Sequence, residues 1–133
     1  MAGYSGTPLP KKLGIKPDSR LLYVSAPADF AVPELPEGVA AHRRPSPDPY
    51  DTILLFCLSQ AAVRKGFQPA AARLTVPGGL WVCWPKKASG VKTDLGENDV
   101  RAIGLDTGLV DVKVCAVDDT WSGLKFVRRL ADR

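Results

Sequence analysis

Two apolar runs separated by one crossover length constrain this chain more than any other feature. Asp51-Thr-Ile-Leu-Leu-Phe-Cys-Leu58 and Leu74-Thr-Val-Pro-Gly-Gly-Leu-Trp-Val-Cys-Trp-Pro85 are each long enough for one buried strand, and the stretch between them suits one helix. Nearly continuous apolar strands joined by a helix are the pattern of a parallel α/β sheet covered on both faces. Ligands of such sheets bind beyond the carboxyl ends of the strands, so a site is expected there.

A chain of 133 residues is the size of one domain and can bury about two thirds of its unfolded surface. We therefore expect a single domain over 1–133, with 1–20 as an N-terminal helical segment packed on the sheet. Hydrophobic content of 45% and charged content of 24% are those of a soluble globular protein rather than a disordered or fibrous one. No apolar run approaches the ~20 residues that span a bilayer. The opening Met-Ala-Gly-Tyr-Ser-Gly-Thr-Pro lacks the charged and apolar regions of a secretory signal. A cytoplasmic location without membrane association is the expectation. Cys57, Cys83 and Cys115 fall one in each of three expected strands. Their spacing fits no metal or disulfide framework, so they read as packing residues.

The N-terminal helix should start at Thr7-Pro8 and stop at Gly14, with the first strand at Leu21–Val24. Pro27, Pro33 and Pro36 preclude a long helix before a short strand at Val39–His42, although one helical turn between Asp29 and Leu35 is allowed. Ser59 caps a helix that Gly66 and Pro69 should break into two pieces. Gly78-Gly79 should turn the chain into the strand Leu80–Trp84. Asp94 and Glu97 have the spacing of a capping box for a helix reaching Thr107. From Leu109 to Val117 the pattern alternates, placing Asp111 and Lys113 together on one face. A final strand, Trp121–Arg128, completes an antiparallel hairpin at a sheet edge.

Tyr50-Asp51 entering an apolar strand, Leu74-x-x-Pro-Gly-Gly-Leu80 entering the next, then a helix and a terminal hairpin, together resemble the class I methyltransferase Rossmann fold with a shortened first half. The whole chain also resembles an uncharacterised family of small bacterial proteins, a domain of unknown function. That likeness rests on Gly3-Tyr-Ser-Gly-Thr-Pro-Leu9, Lys11-Lys-Leu-Gly-Ile-Lys16, Trp84-Pro-Lys-Lys-Ala-Ser-Gly90 and Thr120-Trp-Ser-Gly-Leu-Lys-Phe126. The first resemblance implies a three-layer Rossmann-like domain; the second brings no activity with it.

The residues that would make such a fold a transferase are missing. A Rossmann cofactor site uses glycines after the first strand and an acidic ribose acceptor after the second. Here the first turn is Ser25-Ala-Pro-Ala-Asp-Phe30, where Pro27 has no N–H, and the second strand ends in His42-Arg43-Arg44. No serine elbow or phosphate-binding Gly-Lys-Ser/Thr loop is present, and the single histidine, His42, reads as a strand-end residue. Asp51 reads as a turn acceptor that could reach a pocket.

The loop after the Leu80–Trp84 strand is the best candidate site. Lys86, Lys87, Ser89, Gly90 and Lys92 bring three ammonium groups, two hydroxyl-bearing neighbours (Ser89 and Thr93) and a flexible glycine to a strand carboxyl end, which suits an anion. Ser25, Trp84 and Trp121 are its candidate neighbours. The leading expectation is a non-catalytic methyltransferase-like domain that binds an anionic small molecule or protein, with no catalytic residue, metal or cofactor. The alternatives are a small S-adenosylmethionine-dependent transferase with a degenerate cofactor site, and a nucleic-acid-binding accessory protein using the net charge of +4. Both long helices should cover the same sheet face, leaving the other to the N-terminal segment or, in a homodimer, to a second copy.

Overall fold

The two apolar runs lie side by side as parallel strands at the centre of a six-stranded sheet. The computed structural model describes residues 6–133; Gly3, Tyr4 and Ser5 of the amino-terminal motif lie outside the described residues. The strands are β1 (Arg20–Val24), β2 (Ala40–His42), β3 (Tyr50–Phe56), β4 (Leu74–Pro85), β5 (Val110–Ala116) and β6 (Trp121–Val127), in the order β2-β1-β3-β4-β6-β5. Strands β1 to β4 pair in parallel, with Ile53 opposite Leu80 and Leu55 opposite Val82. Strand β6 runs antiparallel to both β4 and β5. The helices are α1 (Leu9–Leu13), α2 (Gln60–Ala71) and α3 (Glu97–Leu105). This is the expected α/β fold class with its terminal hairpin.

Alternate residues of the central strands feed two cores. Leu22, Ile53, Leu55, Leu80, Val82 and Phe126 face α2 and α3, where Val63, Phe67 and Val100 cover them. Leu21, Tyr23, Leu54, Phe56 and Trp81 face the other way. That second face is closed by Leu13 and Ile15 after α1 and by Phe30 and Val32 of the β1–β2 connection, all buried. Two hydrogen bonds lock this cover: Trp81 Nε1 donates to the Leu13 carbonyl at 3.0 Å, and the Val32 N–H donates to the Tyr23 hydroxyl at 3.0 Å.

Local chemistry departs from the sequence pattern in several places. No helical turn forms between Asp29 and Leu35; the connection is extended, with a turn closed by Phe30 N–H to the Pro27 carbonyl. Helix α2 runs unbroken through Gly66 and Pro69. Proline lies in its last turn, so the Lys65 carbonyl alone loses its helical donor and little helix remains beyond it to be disrupted, and Gly66 lets the helix approach the Leu55 side chain. Gly78 and Gly79 lie inside β4 rather than before it, at a bulge where Asp51 of β3 faces residues 75–78. Asp94 does not cap α3; it accepts the Gln60 N–H of α2 at 2.8 Å, while Asp99 takes the Gly96 N–H at 2.9 Å. A bulge at Val112 reverses the alternation of β5. Asp111 consequently reaches Arg101 on α3, whereas Lys113 lies opposite Lys125 and donates to the Lys12 carbonyl on the other face.

Candidate functional site

At the carboxyl end of β1, Ser25 takes the left-handed conformation with φ of 59°. Glycine prefers this region and serine pays about 1–2 kcal/mol to occupy it. The chain therefore turns sharply at this point without a glycine. Ser25, Ala26 and Pro27 then form one wall of a cleft of about 400 Å³, with Phe56, Leu58, Ala62 and Trp121 opposite. Phe30, Phe56 and Trp121 meet edge to face, at centroid separations of 4.8 Å and 5.0 Å. Leu58 leaves 54% of its surface exposed on the rim. No ionisable side chain lines this cleft. A second cleft of about 620 Å³ continues from it along Pro27, Phe30, Asp118 and Trp121.

At the carboxyl end of β2, Arg43 folds back over the β1–β2 connection. Its guanidinium donates to the Phe30 carbonyl and, at 3.4 Å, to the Pro27 carbonyl, and lies 5.0 Å from the centre of the Tyr23 ring. A guanidinium has donors only, so this strand end offers no side-chain acceptor from Arg43. His42 Nδ1 is 2.8 Å from the Tyr50 hydroxyl, which also accepts the Ser46 N–H. The histidine is thus committed to holding the next loop.

The lysine loop divides into fixed and exposed parts. Lys86 donates to the Asp118 carbonyl at 2.6 Å, joining the end of β4 to the β5–β6 turn. Asp118 in turn accepts the Thr120 and Trp121 N–H groups. Ser89 is used within the loop: its hydroxyl donates to the Lys86 carbonyl at 2.6 Å and accepts the Val91 N–H at 3.1 Å. Gly90 caps the short 3-10 turn Lys87–Ser89 at φ of 76°. Lys87 and Lys92 are exposed. Of the candidate neighbours, Ser25 and Trp121 line the same cleft. Trp84 packs instead in the core beneath the long helices, on the opposite face from Trp121. Lys87, Ser89, Gly90 and Lys92 line neither cleft.

In the sequence Arg43 stands out only as a cation where an acid is expected, and nothing in the spacing signals its reach to Phe30. Phe56 and Leu58 read simply as strand residues. Asp51 sits at the opposite end of the sheet, accepting the Arg20 N–H at 2.9 Å. Of the cysteines, burial pushes the Cys57 thiol up to about 12 and the Cys83 thiol well above its ordinary value, so neither is an available nucleophile near neutral pH. Among the described residues no group of three His, Cys, Asp or Glu could hold a metal ion, and no helix is long and apolar enough to cross a membrane.

No protein-family profile matches the chain, and no curated protein matches it in sequence. Solved structures do match. A proposed methyltransferase from Thermoplasma acidophilum aligns over 98% of this chain and 77% of its own, at 10% identity and a TM-score of 0.55. The fibrillarin pre-rRNA processing protein of Methanococcus jannaschii aligns over 86% and 68%, at 12% identity and a TM-score of 0.52. The magnesium protoporphyrin IX methyltransferase of Synechocystis PCC 6803, solved with bound SAH, aligns over 72% of this chain at 15% identity and a TM-score of 0.50. The chain spans only 53% of that enzyme's length. The fold is methyltransferase-like and Rossmann-like; at these identities the likeness extends no further.

Proposed function

We propose that this protein is a methyltransferase-like binding domain that recognises an anionic ligand or partner at the strand carboxyl ends and does not hold S-adenosylmethionine in the manner of its fold. One observation carries this reading: Arg43 is bonded to the Pro27 and Phe30 carbonyls where the fold's cofactor site calls for an acceptor. A dinucleotide-type cradle needs backbone N–H groups after the first strand and a carboxylate after the second. Here Pro27 supplies no N–H, and the second strand end carries a cation. The residues present do not fit the methyl donor. Lys87 and Lys92 supply the positive charge for the anion, while Lys86 anchors the loop. Ser25, Leu58 and Trp121 offer an adjoining surface for an apolar portion of the ligand.

A thermal-shift and calorimetric screen with S-adenosylmethionine, S-adenosylhomocysteine and nucleotides tests the reading. Stabilisation by anions that is lost when Lys87 and Lys92 become alanine supports it. Stabilisation by the methyl donor together with turnover supports the transferase reading instead, which the sharp Ser25 turn and the 400 Å³ cleft favour. The likeness to a pre-rRNA processing protein makes RNA the polyanion to include. Binding through Lys87 and Lys92 would weaken with salt at a log–log slope of about −1.4 to −1.8.

A further inference from the structure

At the opposite end of the sheet two like charges face each other. Lys113 on β5 lies directly across from Lys125 on β6, and like charges facing across an antiparallel pair oppose folding. Lys125 is half-buried, its stem laid in a slot walled by backbone. A Cβ on Gly79 would overlap the Lys125 Cε, and one on Gly14 would stand 3.1 Å from its Nζ. The ammonium lies 6.0 Å from the Trp81 ring centre. Burial, then repulsion from Lys113 and Lys16, holds its pKa below the ordinary value.

Among the described residues no carboxylate forms an ion pair with these lysines. The ion pairs found among the described residues both belong to Arg101. Two acids do share the cleft into which Lys16 and Lys125 project, a space of about 480 Å³. Asp51 is committed to the Arg20 N–H at 2.9 Å and the Thr75 hydroxyl at 3.4 Å, and Asp18 lies against Gly38. Two ammonium groups in a partly backbone-walled cleft that Ser19 and Thr75 also line, the Ser19 hydroxyl donating to the Lys16 carbonyl at 2.6 Å, suit a compact dianion carrying a polar substituent.

We propose that this amino-end cleft binds the phosphoryl group of a small hydroxylated molecule, with Lys125 and Lys16 meeting the phosphate. The site is separate from the Lys86–Lys92 loop and does not depend on the function proposed for it. Calorimetry and thermal unfolding at constant ionic strength, with chloride replaced by inorganic phosphate, ribose 5-phosphate or AMP, test it. Binding by phosphate alone identifies a free-anion site, and tighter binding by an ester identifies the substituent; either supports the proposal. Lys125→Met should weaken binding about ten- to a hundredfold, the worth of a lost charge-assisted hydrogen bond. Lys87→Ala with Lys92→Ala should leave it unchanged. Should Lys125→Met not fold, Lys16→Ala replaces only an exposed side chain and should weaken binding about tenfold. Absence of binding by all three probes, or affinity unchanged in these cleft variants, overturns the proposal.

Discussion

Trp81 shows how one side chain joins distant parts of the sequence: fully buried, it spans the second core and donates its indole N–H to the Leu13 carbonyl. Trp81→Phe keeps much of the ring but strands that carbonyl, and should lower unfolding free energy by about 1–3 kcal/mol in a urea titration. Gly104 is a second sensitive point. A Cβ there would run into the buried Phe126 ring, so Gly104→Ala should cost about 1–3 kcal/mol despite alanine's better helix propensity. Lys125 gives a pH signature. Its folded pKa lies below the ordinary 10.5, so the unfolded chain holds the proton more tightly. Stability should therefore rise as pH climbs through the folded midpoint towards 10.5 and gain nothing further above it. Lys125→Met should flatten that rise in thermal unfolding at low salt. None of these three roles is visible in the sequence, because each depends on a partner across a different element.

At the scale of elements, α1 and the β1–β2 connection do the work of a missing helical layer. Leu13 and Ile15 are 0% and 5% exposed, and burying two such side chains is worth about 3–6 kcal/mol. Removing residues 1–16 should therefore lower the midpoint of thermal unfolding sharply; a truncated protein that melts at the full-length temperature would contradict this account. The bounds of α1 were legible because Pro8 and Gly14 act locally, one fixing φ and the other taking the left-handed cap at φ of 79°. Gly78, Gly79 and Pro69 misled because their meaning is set by tertiary neighbours. The glycines serve a bulge opposite Asp51, and the proline rides in a last turn already held against the sheet. The Asp94–Glu97 spacing suggests a local cap, yet Asp94 ties α2 to the loop ahead of α3. The Val112 bulge is a pairing irregularity with no composition of its own, and it alone sends Lys113 to the face opposite Asp111.

For the whole molecule, the apolar runs specified the sheet and its crossovers, since strand burial on both faces leaves few other arrangements for this pattern. The site was less legible. The sequence displayed what the turn after β1 and the end of β2 lack, but not that Arg43 spans between them onto Pro27 and Phe30. That bridge separates a methyltransferase-like framework from a methyltransferase-like cofactor site, and it is open to direct inspection. Crystals soaked in S-adenosylmethionine should show Arg43 still bonded to the Phe30 carbonyl and no adenosine against Ser25–Phe30. Adenosine density seated on that turn, with the Arg43 side chain swung away, would contradict the account and make the protein a cofactor-binding transferase.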